Sequence, residues 1–478
     1  VDLAAEQARS EHRLKLLGTA STGALVIQRR ETQSNVHIIG APKQGKSTLT
    51  EGLIRQDVGK DCVCFVDGTS LGKTAHNVFR WCAYQGYENV IYIDVKRILE
   101  SKRVPCIQPF NYKPIYKTTT VAHVMDTLRV LYNMKDMSHY LCVEQYLPAI
   151  LRLLWNAQVT LNEALYFTDK DNAIFRFYRE QIFRKSSEQD HDRINVSGAF
   201  KNHTAYREFG STVRRILPLF HPVLRLIFGV REGINFDDLI TKKYVILING
   251  YPGLGLEPIH AKLLGVAVIN ELIFSAERLI EEGWKGRIRL YIDEAGRFMN
   301  DKLVDLLEHQ RHLGFHTTLA HQSFFQFTEK GYSEAVKNLC TTKIMFHTQD
   351  YYDRLEMVKA LGYGGDIPHQ LATYVNRNLP TQEAVVARYK GDPLRMTALD
   401  VKEVGEEYLS KQAEKEFLAK TFKLRGFYHP DEIVKQWEHR FNVQPSSRKN
   451  TRSPSGGATP NRKTGGKDDP PPRKSAFS

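Results

Sequence analysis

The sequence predicts an α/β chain with a mostly parallel central sheet, interrupted by an all-helical insertion, and three observations carry that expectation. Short β-branched runs alternate with longer stretches of helical periodicity, as parallel strands with crossover helices require. Convincing strands stop at about residue 117 and resume only after about 235. Beyond about 445 the chain is rich in Pro, Gly, Ser and Lys/Arg and almost free of apolar groups.

Residues 36–39, 62–66 and 90–95 read as the first three strands, with helices between them. The middle holds helical segments such as VAHVMDTLRVLYNM and STVRRILPLFHPVLRLIF. Strands resume at 244–248, 288–292, 317–320 and 343–346, and a long amphipathic helix covers roughly 258–281. After the last of these strands a mostly helical stretch is expected to about 440. The resulting division is 1–116 and 236–400 for the two parts of a nucleotide-binding domain and 117–235 for the insertion. Residues 401–444 form a helical C-terminal segment and 445–478 a disordered basic tail. That tail cannot bury enough apolar surface to offset its ordering entropy. No internal repeat is visible.

A composition of 42% hydrophobic and 25% charged residues is ordinary for a globular protein, so a sizeable core is expected. The net charge of +13 is unevenly placed: residues 445–478 carry eight Lys/Arg against two Asp, leaving about +7 for the body. Such an excess is compatible with a polyanionic partner without naming one. The tail itself reads either as a solvated linker or as a salt-sensitive contact to phosphates.

The six cysteines, Cys62, Cys64, Cys82, Cys106, Cys142 and Cys340, make no zinc-ligand pattern and suit a reducing cytoplasm. Cys62 and Cys64 fit alternate positions of a buried strand. No run reaches 18 apolar residues: 140–155 is broken by Glu144 and Arg152, and 263–276 by Asn270 and Glu271. The sequence opens on Val1 rather than Met, which leaves room for an upstream piece such as a membrane anchor.

The chemistry concentrates at GAPKQGKST. Gly40, Gly45, Lys46 and Ser47 satisfy the spacing G-x-x-x-x-G-K-[ST], with an apolar strand before and a helical run after. Gly40, Ala41, Pro42, Lys43, Gln44, Gly45, Lys46, Ser47 and Thr48 thus form a candidate ATP-binding loop. Glycines let backbone amides curl around phosphates, and the helix N-terminus adds a positive dipole end. Lys46 suits the β- and γ-phosphate oxygens, and the Ser47 hydroxyl suits Mg²⁺. A nearby GTSLGKT imitates the loop, but Gly68 and Gly72 are one residue too close. It reads as a strand-to-helix turn with Asp67 at the strand end, either a cap or a site contact.

The segment RLYIDE is an apolar strand ending in two acids, the pattern of a Walker B element. Asp293 would hold Mg²⁺ and Glu294 would polarise the attacking water. Gln322 ends the next predicted strand, where a polar residue can sit beside the γ-phosphate; the alternative is a polar contact at a helix start. Arg311, on the preceding helix, is a candidate arginine finger or an ordinary surface charge. His309, His312, His316 and His321 surround it without metal-site spacing.

With these motifs in place, the sequence resembles the TraG/TraD-type coupling proteins of conjugative type IV secretion, within the HerA/FtsK group of DNA-pumping ATPases. The resemblance runs through NVHIIGAPKQGKST, through NVIYIDV and the following PFN, and through FDDLITKKYVILING. It continues in LYIDEAGRF and LLEHQRHLGFHTTLAHQSFFQF, and so covers about 34–400. It implies a RecA-like P-loop NTPase with an all-helical insertion, assembled as a homo-hexameric ring with ATP at subunit interfaces. It also implies DNA as cargo, a relaxase and secretion-channel components as partners, and a cytoplasmic place at the inner face of the membrane. Arg311 falls at the family's finger position and Gln322 at its sensor position. Departures are Pro42-Lys43-Gln44, where smaller residues are common, and the lack of the transmembrane helices with which many coupling proteins begin.

The leading expectation is therefore an ATP-hydrolysing DNA translocase that delivers DNA to a secretion channel. Two alternatives stand beside it: a soluble HerA-like motor for repair, defence or packaging, and a nucleotide-gated scaffold that recruits DNA or relaxase without pumping.

Overall fold

The computed structural model describes residues 14–440 apart from 30–34, 70–71, 132–136, 253–255, 310–311, 328–329, 362–369, 371, 373–378 and 388–392. Arg311 and the tail 445–478 lie outside the described residues. In chain order the strands are β1 Leu14–Ala20, β2 Leu25–Arg29, β3 Val36–Ile39, β4 Cys62–Asp67, β5 Val90–Ile93, β6 Val104–Pro105 and β7 Val245–Asn249. They continue as β8 Ile288–Asp293, β9 Phe315–His321, β10 Thr342–Phe346, β11 Glu383–Ala387, β12 Leu394–Ala398 and β13 Phe427–Tyr428.

The main sheet has the order β2-β1-β12-β11-β10-β3-β9-β8-β4-β7-β5. From β10 to β5 every neighbouring pair is parallel. From β10 to β2 every pair is antiparallel. Helices α1 Lys46–Asp57 and α2 Lys73–Tyr84 cover one face. The strand-free stretch between β6 and β7 holds α3 Lys117–Leu128, α4 Met137–Asn156, α5 Ala173–Phe183, α6 His191–Lys201, α7 His203–Ile216, α8 Pro222–Ile227 and α9 Phe236–Thr241. These helices share one buried apolar cluster with the other face of the sheet and with α10 Pro258–Glu281.

Strand alternation explains the two faces. Cys62, Cys64 and Val66 of β4 join the cluster with the helices, while Val63 and Phe65 join the one beneath α1 and α2. Among the described residues no helix is long and apolar enough to cross a membrane; α10 is instead a buried core helix.

One expectation is corrected, and one pair of strands goes beyond what was expected. Among the described residues from 347 to 440, two strands, β11 and β12, stand between α11 Tyr351–Ala360 and α12 Lys411–Thr421, where only helices were expected. The N-terminal hairpin of β1 and β2 was not expected either, and β1 pairs with β12 across the chain, Gly18 opposite Ala398. Glu383, Leu394, Arg395 and Met396 are residue types at home in helices, so a local pattern misreads strands whose stability comes from distant partners.

Candidate nucleotide-binding site

Parallel pairing aligns the carboxyl ends of four strands, where ligands of open α/β sheets bind. Ile39 of β3 stands opposite His321 of β9, and Ala320 opposite Asp293 of β8. Asp293 in turn stands opposite Asp67 of β4. The loop after β3, the acids ending β8 and the polar residues after β9 therefore share one edge.

Backbone contacts set the loop. Gly40 N–H donates to the His321 carbonyl at 3.3 Å and Ala41 N–H to the His347 carbonyl at 2.7 Å. A Cβ on Gly40 would stand 2.6 Å from the Phe346 Cβ, so only glycine lets the loop leave β3 this close to β10. Pro42 and Lys43 are exposed, and Lys43 turns the chain at φ 63. Gln44 accepts the Gln382 N–H at 3.0 Å. Gly45, at φ 113, then opens α1, and no described side chain caps that helix, which leaves its first-turn amides to a phosphate. Thr48 lies one residue further along α1, partly buried.

Lys46 is 6% exposed, and its ammonium donates to the carbonyl oxygens of Gly40 at 2.6 Å and Ala41 at 3.0 Å. Burial pushes it below the usual lysine range, while Asp293 and Glu294 pull it back up. The Ser47 hydroxyl donates to Asp293 Oδ2 at 2.9 Å, and Asp293 Oδ1 accepts the Glu294 N–H at 3.0 Å. Burial, with Asp67 and Glu294 adding repulsion, pushes Asp293 up to about 7. A hydroxyl and a carboxylate this close suit Mg²⁺, which keeps most of its waters and takes few protein ligands beside phosphate.

Asp67 is a cap, and it also lies beside the acids that end β8. It caps the following turn, accepting from Thr69 N–H at 2.9 Å and Ala75 N–H at 2.8 Å, and it sits beside Asp293 across the sheet. Burial holds its carboxyl above the usual range against those hydrogen bonds.

Glu294 is buried and adopts φ 56, ψ 46, a left-handed conformation that costs a non-glycine residue about 1–3 kcal/mol. Gln322 donates its side-chain amide to Glu294 Oε1, so it contacts the second acid rather than serving only a helix start. The other oxygen, Oε2, accepts from Gln326 at 2.6 Å. Sequence reasoning passed over Gln326, although it lies four residues after Gln322 in the same polar-aromatic run.

Among the described residues no cluster of three or more candidate metal ligands exists. His321 instead stacks on His37, ring centroids 4.8 Å apart, with the two Nε2 atoms at 2.6 Å. Burial lowers His321 to about 3 and His37 well below its usual value.

Residues 287–365 match a family described as the TraM recognition site of TraD and TraG. Among solved structures, the chain is similar to the bacterial conjugative coupling protein TrwBdeltaN70 in an unbound form. Identity is 14% over 84% of this chain and 93% of that one, with a TM-score of 0.55. The same plasmid coupling protein, in complex with ADP and Mg²⁺, aligns at 15% identity over 84% and 93%, TM-score 0.54. VirB4 of Thermoanaerobacter pseudethanolicus aligns at 15% identity over 81% and 96%, TM-score 0.53. No curated protein matches by sequence. Together these likenesses support the resemblance to TraG/TraD-type coupling proteins and give the fold: a RecA-like P-loop NTPase.

Proposed function

We propose that this chain is an ATP-hydrolysing DNA translocase of the coupling-protein kind. The supporting observation is the convergence of Lys46, Ser47, Asp293, Glu294 and Gln322 on one sheet edge, with Ser47 2.9 Å from Asp293. In this reading the amides from Lys43 to Thr48 cradle the β-phosphate and Lys46 bridges β- and γ-phosphate oxygens. Ser47 and Asp293 are the residues that would hold Mg²⁺, which supplies charge neutralisation at those oxygens. Glu294 orients a water in line with the γ-phosphorus and takes up its proton; the new P–O bond forms as the bond to the bridging oxygen breaks, releasing ADP and phosphate. Gln322, touching Glu294, reports the loss of the γ-phosphate to β9, the strand it directly follows. Arg311 is the proposed finger, offered to a neighbouring subunit of a homo-hexamer.

DNA is the proposed cargo, with a relaxase and secretion-channel components as partners. The matched family's description adds a TraM-like protein. The test is ATP turnover by the full chain with and without DNA. Stimulation by DNA, lost in Lys46→Ala and Glu294→Gln, supports the motor. Nucleotide and DNA binding without turnover would instead leave a gated scaffold, and normal turnover in both variants would refute the site.

A further inference from the structure

Gln326 uses both ends of its side-chain amide. Its Oε1 accepts the backbone N–H of Gln322 at 2.9 Å, and its Nε2 donates to Glu294 Oε2 at 2.6 Å. Since Gln322 Nε2 donates to Oε1 of the same carboxylate, both Glu294 oxygens are held from one short turn, Phe324–Gln326 and its approach. The turn is itself fixed: Ser323 accepts the Phe325 N–H at 3.2 Å, and Asp353 accepts the Phe324 N–H at 3.1 Å. Gly296 packs so closely that a Cβ there would meet the Gln326 Cβ and carbonyl oxygen at 2.7 Å.

We propose that Gln326 is a positioning residue for the hydrolytic step: it fixes the plane of the Glu294 carboxylate and ties it to the Gln322 backbone. The chemistry requires such a device. An ionised carboxylate has two acceptor sites on each oxygen, so one amide per oxygen locks its orientation and still leaves a lone pair for water. Glu294 leaves its strand in a left-handed conformation, so its side chain takes no orientation from the strand's regular pleat. The amide's polarity matters as well: an oxygen must face Gln322 N–H and a nitrogen must face Glu294, which only an amide supplies at this length. Gln326 touches no reacting atom in this arrangement and acts through Glu294.

This inference rests on the ATPase reading, and its test separates the two. The full chain is compared as wild type, Gln326→Met, which keeps the shape and loses both hydrogen bonds, and Gln326→Glu, which sets a second carboxylate against Glu294. The kcat for ATP is expected to fall about tenfold to a hundredfold in both, the scale of a catalytic group misplaced by about an ångström. Mg-ATP affinity is expected to stay within about twofold, because nucleotide binding uses the loop after β3. In a Glu294→Gln background, Gln326→Met should cause no further loss. An unchanged kcat, or kcat and affinity falling together with thermal stability, would overturn the role of Gln326. Wild-type turnover that ignores Lys46→Ala and Glu294→Gln would overturn the ATPase reading instead.

Discussion

The Ser47 hydroxyl donates to the Asp293 carboxylate across 2.9 Å, joining the start of α1 to the end of β8 over 246 positions of sequence. Asp293 is pushed up to about 7 by burial beside Asp67 and Glu294, so below that pH it carries a proton. A divalent cation must displace that proton. Mg-nucleotide binding is expected to release a proton near neutrality, and its affinity to fall by up to about tenfold per pH unit below 7. Calorimetry in buffers of different ionisation enthalpy reads the proton directly. Asp293→Asn should abolish both the release and the pH dependence; persistence of either would place the metal elsewhere.

Gly45 opens α1 at φ 113. Gly45→Ala is expected to destabilise the fold by about 1–3 kcal/mol in urea unfolding, since an L side chain is strained there. The Gln382 side chain, 2.6 Å from the added carbon, can move aside. Gln382→Ala in the same chain should therefore recover only a small part of the loss. Full recovery would mean that crowding, not backbone geometry, requires the glycine.

His321 is buried against His37 and lowered to about 3. Below about pH 6.5 the unfolded chain takes up a proton that the folded site refuses, so this site loses stability as pH falls from 6.5 toward 3. Between pH 7.5 and 5 the loss is about 2 kcal/mol for His321. Carboxylates raised by burial, such as Asp67 and Asp293, act in the opposite sense. The measurable quantity is therefore a difference: the disadvantage of His321→Leu relative to wild type should shrink by about 2 kcal/mol between pH 7.5 and 5. A constant difference would rule the histidine out as the source.

Arg440, just after the helix Pro430–His439, donates to Glu163 at 2.5 Å and to Thr160 Oγ1 at 2.9 Å. Glu163 is fully buried. Arg440→Met should cost about 3–5 kcal/mol by stranding that carboxylate, and Glu163→Gln in the same chain should restore part of it. A change below about 1 kcal/mol would mean that the pair is solvated.

Much of this site could be read from the sequence because its chemistry is written in short, local patterns. The spacing of Gly40, Gly45, Lys46 and Ser47, and the apolar run ending at Asp293 and Glu294, need no distant partner to be recognised. Gln322 could be placed because it directly follows the end of a strand. Gln326 could not: its significance appears only when the turn after β9 brings it against Glu294, 32 positions away. Part of the same reason hid β1 and β12, which meet only across almost the whole chain. β4, β5 and β7 are nearly continuous apolar runs, buried throughout, whereas β11 and β12 mix polar and apolar residues and carry no such local mark.

The sheet order carries a consequence for how the chain is made. β3, which launches the nucleotide loop, is flanked by β9 and β10, strands that leave the ribosome nearly three hundred residues later. The hairpin of β1 and β2 waits longer still for β12. A nascent chain halted before residue 315 therefore holds the loop without either of its two neighbouring strands. Such a topology favours slow, late closure and gives chaperones a long exposed edge to guard during synthesis.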